Sequence, residues 1–141
     1  MIRKLGDLDL RGKAVFVRVD FNVPIDQGKI AETHRIDSAL PTIRLILQQA
    51  QKIVIASHLG RPDGKAVVKY SLAPVRDYLE AALRQPVVLA PDCVGPDVER
   101  VVRDDKNRIV LLENLRFHKE EEKNDDGFAR ALASLADVYV D

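Results

Sequence analysis

Four arginines, Arg18, Arg35, Arg61 and Arg116, stand at or just beyond the ends of apolar segments or at the start of the helical segment that follows. A guanidinium stays charged at any physiological pH, and its planar fork bonds phosphate or carboxylate in pairs. Each such charge-assisted bond supplies about 1.5–3 kcal/mol. An uncompensated group of arginines repels itself, so arginines brought together predict a small anionic ligand. The alternative is that they pair with Asp20, Glu113 and their neighbours as surface ion pairs, and spacing alone leaves both readings open.

The elements that must position these groups are strands. Ala14-Val15-Phe16-Val17 has the composition of a buried strand and runs into Arg18-Val19-Asp20-Phe21-Asn22-Val23-Pro24, where Pro24 prevents continuation. Ile53-Val54-Ile55-Ala56 leads likewise into Ser57-His58-Leu59-Gly60-Arg61-Pro62, and Ile109-Val110-Leu111-Leu112 into Glu113-Asn114-Leu115-Arg116-Phe117. Apolar runs at 14–19, 53–57, 87–90, 109–112 and 137–140 alternate with segments of helical period, which predicts repeated β-α units and a mainly parallel sheet. In such a sheet the loops leaving the carboxyl ends of the strands line one crevice. For Asp20 and Asn22 the competing reading is an Asx residue bonding its own turn.

The helical segments carry their own signals. Ile36, Leu40, Ile43, Ile46 and Ala50 share one face, although Pro41 calls for a late start or a kink near residue 37. Ser71 is an expected N-cap for a helix with a stripe of Leu72, Val75, Leu79 and Leu83. Gly95-Pro96 opens a short helix through Val98, Val101 and Val102. Asn124 is expected to cap the last, with Asp125 and Asp126 at its N-terminus and Phe128, Leu132 and Leu135 inward.

Composition narrows the function. The 141 residues suit one domain, and 46% hydrophobic content supports a core. Charge balances at zero, from 22 basic and 22 acidic residues, so no global field draws nucleic acid or an anionic membrane. Cys93 is the single cysteine and is expected to pack as a small apolar group in a reducing compartment. No apolar run approaches the ~18 residues of a membrane span, and a soluble, cytoplasmic protein is expected. Gly60-Arg61-Pro62-Asp63-Gly64-Lys65-Ala66 has one residue too few between its glycines for a P-loop, and Ala66 stands where a metal-binding hydroxyl belongs. A G-x-G-x-x-G fingerprint after the first strand is absent, and nothing offers metal-ligand spacing. Lys119-Glu120-Glu121-Glu122-Lys123 reads as a solvated loop, and His34 and His118 as structural or solvated.

These segments, from Leu5-Gly6-Asp7-Leu8-Asp9-Leu10-Arg11-Gly12-Lys13 through Leu112-Glu113-Asn114-Leu115-Arg116-Phe117-His118-Lys119 to Ala136-Asp137-Val138-Tyr139-Val140, closely resemble phosphoglycerate kinase. The resemblance implies a Rossmann-like three-layer α/β/α domain, incomplete at its C-terminal end, because that family is about three times longer and has two domains, and residues 1–141 look like most of the first. It also implies a ligand, 3-phosphoglycerate, exchanged with 1,3-bisphosphoglycerate. Asp20 and Asn22, with Phe21 between them, would hold the substrate's hydroxyl and carboxylate end. His58, Leu59, Gly60, Arg61 and Arg116 would hold the 3-phosphate. Arg35 would lie against the carboxylate and the transferred phosphoryl group, as the catalytic arginine. A carboxylate acceptor is already ionised at pH 7 and needs no general base. Mg-ATP or Mg-ADP binds the second domain in the family, so no cofactor residue and no metal site is expected in these residues. The chain is expected to be monomeric and inactive alone. The alternatives are a non-catalytic anion-binding module and an inactive truncated domain. In the family an Asn follows Val140, where this chain has Asp141.

Overall fold

A computed structural model describes residues 9–60, 64, 68–118 and 126–140. Five strands form one sheet: β1 (Ala14–Arg18), β4 (Lys52–Ala56), β5 (Val88–Leu89), β6 (Ile109–Leu111) and β7 (Val138–Val140). Their order is β5-β6-β4-β1-β7, and every pairing is parallel. The helices are α1 (His34–Leu47), α2 (Ala73–Leu83), α3 (Pro96–Arg103) and α4 (Asp126–Ala133). This is the expected three-layer arrangement.

Alternation along the strands divides the core in two. Val15, Val17, Ile53, Ile55, Ile109 and Leu111 face α1 and α2, which contribute Ile36, Leu40, Ile43, Ile46, Val75 and Leu79. Phe16, Val54 and Val110 face the other way, onto Val98 and Val102 of α3 and Leu132 of α4. The central strand β4 is buried throughout, as a parallel strand covered on both faces must be.

The layering follows the direction of travel. The steps β1 to β4 to β5 move one way along the sheet and put α1 and α2 on one face, while β5 to β6 to β7 move back and put α3 and α4 on the other. A single crossover hand requires that change of face. The adjacent strands β4 and β6 therefore send their chains to opposite faces, which makes their carboxyl ends the switch point of the sheet.

Several expectations need correction. Helix α1 runs from His34 to Leu47 with Pro41 inside it, so it does not start late. Pro41 withholds one N–H from a helix whose inner stripe is fully buried, and packing outweighs that loss. The N-cap position of α2 is Leu72, one residue after Ser71, yet the Ser71 hydroxyl does accept from Ala73 N–H at 3.2 Å, the bond expected of a cap. A short hairpin, β2 (Ile25–Asp26) with β3 (Lys29–Ile30), was not foreseen. Its two-residue turn holds Gln27 and Gly28 at φ 51° and 77°, the primed turn that matches strand twist, with glutamine where asparagine is usual. Among the described residues β7 lies at one end of the strand order, with Tyr139 49% exposed and stacked 5.1 Å from Phe16. Arg61, Lys119–Lys123, Asn124, Asp125 and Asp141, on which expectations also rested, lie outside the described residues.

Two tertiary clips fix the helices. At the opening of β4, the buried Lys52 donates to the carbonyls of Val102 and Asp104 at the C-terminal end of α3, where a cation is favoured. Burial lowers its pKa, partly offset by Asp105 and Asp104. On the other face the Tyr78 hydroxyl of α2 donates to Asp37 of α1, whose other oxygen accepts from Thr33 at 2.9 Å.

Candidate functional site

The carboxyl ends of β1, β4 and β6 are neighbours, spread over two strand spacings or about 10 Å. After β1, Val19 N–H still donates to Ala56 O at 3.0 Å, and then the chain turns. Asn22 N–H bonds Asp20 Oδ1 at 3.0 Å, so the own-turn hydrogen bond is present. It coexists with two outward links. Asn22 Oδ1 accepts from Gly60 N–H at 3.0 Å, joining the β1 end to the β4 end. Arg35 Nη1 donates to Asp20 Oδ2 at 3.2 Å and to Asn22 O at 3.0 Å.

Arg35 is the second residue of α1, and the helix start aims it at this rim. Its side chain is 51% exposed and that of Asp20 59%, so water screens the pair and it adds little stability. Within the described residues its bonds all use Nη1, which leaves Nε and Nη2 for an anion. Arg18 lines the same depression as Asp20 and Arg35. A second depression, on the other side of the turn, is bounded by Asn22, Leu59, Gly60, Lys69 and Tyr70.

Beneath the rim lies a polar knot that the sequence did not advertise. Asn114, wholly buried, accepts from Leu59 N–H at 3.1 Å and Arg116 N–H at 3.0 Å. Its amide nitrogen donates to Leu59 O at 2.7 Å and Tyr70 O at 2.9 Å. One side chain thus fixes the β4 end, the turn before α2, and the 3-10 turn Leu115–Phe117 that carries Arg116. Ser57, also wholly buried, accepts from Phe21 N–H at 2.8 Å and ties in β1. Glu113 is not an arginine partner among the described bonds. Its carboxylate takes the Ser71 hydroxyl at 2.7 Å and Leu72 N–H at 2.8 Å, so it caps α2 from another strand. The place of Ser57 and Asn114 just past the apolar runs 53–56 and 109–112 was the available signal.

The predicted site residues fall into three groups. Asp20, Asn22, Arg35 and Gly60 form one connected set at the rim. Phe21 and Leu59 are core side chains whose N–H groups are already taken by Ser57 and Asn114, so they shape the loops instead of presenting donors. His58 is half-buried, with its carbonyl accepting from Ser57 Oγ at 3.1 Å. Arg116 stands across β4 from β1, and its carbonyl accepts from Gly64 N–H at 3.3 Å. Gly60 has φ +61°, and a Cβ there would enter the Tyr70 ring, so glycine is required twice over. His118 is structural, 2.6 Å from Asp92 Oδ1. Cys93 is buried as expected, and burial, with Asp92 beside it, raises its pKa. Among the described residues no helix is long and apolar enough to cross a membrane.

A partly exposed arginine whose Nε and Nη2 make none of the described bonds, set on loops pinned by hydrogen bonds, can bind and orient a small anion of phosphate or carboxylate type. The sequence is 57% identical over 143 residues to phosphoglycerate kinase of Anaeromyxobacter dehalogenans strain 2CP-C, covering 99% of this chain and 36% of that protein. It is 53% identical to the phosphoglycerate kinase of Aquifex aeolicus strain VF5, again covering 99% and 36%. Among solved structures, phosphoglycerate kinase from Pyrococcus horikoshii OT3 superposes with a TM-score of 0.85 at 30% identity, over 98% of this chain and 36% of that one. That from Coxiella burnetii gives 0.77 at 37%, over 96% and 33%. The chain therefore spans about a third of the length of the relatives it matches. A phosphoglycerate kinase family model matches residues 5–141, so with this fold and these strand-end residues the chain belongs to the phosphoglycerate kinase family.

Proposed function

We propose that the crevice is the acceptor subsite of a phosphoglycerate kinase, holding 3-phosphoglycerate for reversible phosphoryl transfer from ATP. The observation that supports it most is the Asp20–Arg35–Asn22–Gly60 linkage, which sets an arginine with spare donors beside the ends of two strands. In this reading Asp20 and Asn22 meet the hydroxyl and carboxylate end, and Arg61 and Arg116 hold the non-reacting phosphate beside the His58–Gly60 loop. A carboxylate oxygen of the substrate attacks the γ-phosphorus, the bond to the ADP oxygen breaks, and ADP leaves. Charge then collects on the equatorial oxygens, where Arg35 stabilises it. An arginine in that position is worth about 10³–10⁵ in rate.

Mg-ATP is held, in this proposal, by the part of the longer relatives outside the match, since the residues here fit the acceptor and offer no P-loop. The 141 residues alone would then bind without transferring, because holding one partner forgoes the roughly 7–11 kcal/mol that joint positioning supplies.

Calorimetry of 3-phosphoglycerate, inorganic phosphate and glycerol against the protein tests this. Binding of 3-phosphoglycerate that falls with added salt and exceeds phosphate is expected. Equal heats for 3-phosphoglycerate and glycerol contradict the proposal, and equal affinity for 3-phosphoglycerate and phosphate favours a generic anion-binding module.

A further inference from the structure

Asp92 and Cys93 follow β5, and His118 follows the 3-10 turn beyond β6, so two adjacent strand ends bring the three together. One ligand atom from each, the carboxylate oxygen, Sγ and a ring nitrogen, lies within 4.8 Å of the other two. His118 Nε2 is 2.6 Å from Asp92 Oδ1, and its ring packs against Phe128 of α4 at 5.5 Å between centroids. Cys93 N–H also donates to Asp92 Oδ1 at 2.7 Å, and Glu113 N–H donates to Asp92 O at 3.3 Å. The thiol is wholly buried, whereas the side chains of Asp92 and His118 are 42% and 28% exposed. The group therefore has a closed floor and a solvent-facing mouth.

We propose that Asp92, Cys93 and His118 bind one divalent cation of the zinc class, with water in the fourth position. Thiolate, imidazole and carboxylate are the ligand types of such ions, and the sulfur selects against magnesium and calcium. Bond lengths of about 2.0–2.3 Å in a tetrahedron put ligand atoms about 3.3–3.8 Å apart. The widest pair must close by about 1 Å and the Asp92–His118 pair must open by somewhat less, within reach of side-chain rotation at the exposed mouth. Burial first, and then the Asp92 and Glu113 carboxylates, hold the proton on the Cys93 thiol, so the ion must displace it. On binding, the sulfur–hydrogen bond breaks, its proton goes to solvent and a sulfur–metal bond forms. His118 contributes a nitrogen lone pair after releasing any proton from Nε2. No oxidation state changes.

Titration of the metal-free protein with Co²⁺, then Zn²⁺, tests the site by spectroscopy. One equivalent of Co²⁺ is expected to give a sulfur-to-cobalt charge-transfer band in the near-ultraviolet with the intense visible bands of four-coordination, displaced by Zn²⁺ and unaffected by Mg²⁺. Affinity should rise about tenfold per pH unit for each proton released. Cys93→Ser should abolish the charge-transfer band, and His118→Gln should weaken zinc binding by more than about tenfold, the cost already typical of losing an outer partner. A spectrum of six-coordinate cobalt without charge transfer overturns the proposal, as does unchanged zinc affinity in Cys93→Ser. Should circular dichroism show Cys93→Ser unfolded, His118→Gln decides, and binding equal to the parent's refutes the site.

Discussion

Asn114→Ala removes the side chain that joins the β4 end, the turn before α2 and the turn carrying Arg116, and its cost can be worked bond by bond. Leu59 N–H and C=O lose partners in a buried setting, at about 1–3 kcal/mol each when left unsatisfied. Arg116 N–H and Tyr70 C=O are part-buried and reach water, losing about 0.5–1.5 kcal/mol each. Water entering the vacated space returns some of this, so a net loss of about 3–5 kcal/mol is expected. Domains have about 5–15 kcal/mol in all, so the variant sits close to its threshold. Asn114→Asp should be nearly as damaging, because a carboxylate oxygen then faces the Leu59 and Tyr70 carbonyls. Urea unfolding of parent and variants, followed by circular dichroism, measures the difference. A loss below about 1 kcal/mol for Asn114→Ala would refute the reasoning, since even one orphaned buried group costs that much.

Gly60→Ala should destabilise by about 1–3 kcal/mol, from a left-handed backbone and a Cβ driven into Tyr70, and a double-mutant cycle with Tyr70→Ala should show favourable coupling. Tyr78→Phe should lower stability near neutral pH but not in strong acid: Asp37 is held below its ordinary 3.8 chiefly by the Tyr78 hydroxyl, then by Thr33, so the clip is present above 3.8 and lost as pH falls through the folded value. Tyr78 is raised above 10.0 by Asp37, so the same clip is also lost as pH rises through that folded value; urea midpoints measured against pH test both limbs. In an active protein containing this segment, Arg35→Ala should depress kcat by about 10³ or more, while Arg61→Ala or Arg116→Ala should chiefly raise KM for 3-phosphoglycerate; equal effects on both constants at all three positions contradict that division.

The order of strands and helices was legible because parallel strands covered on both faces must be continuous apolar runs, as 53–56 and 109–112 are. The rim was legible too, since Pro24 and Gly60 mark where strands stop and Asp20, Asn22 and Arg35 lie beside them. What was hidden depends on distance along the chain. Asn114 and Leu59 are 55 residues apart, and Glu113 caps a helix that starts 40 positions earlier, so no local pattern reveals either. Ser71 was legible as a cap and does take the Ala73 N–H, whereas the carboxylate that takes the Leu72 N–H comes from beyond β6 and was not. Pro41 suggested a late start or a kink because proline costs a hydrogen bond, and the buried stripe of α1 holds the helix from His34 all the same.

The central claim, that the ends of β1, β4 and β6 together hold the substrate, is tested most directly by amide NMR of the labelled protein titrated with 3-phosphoglycerate. The Asn22, Gly60 and Arg116 amides, from those three strand ends, and the Arg35 Nε–H should shift along one saturating curve. Gly12 and Asp105, at the opposite edge of the sheet, should stay still. Shifts confined to the Gly12–Asp105 edge, or no saturable shift at Gly60 and Arg116, would contradict the account.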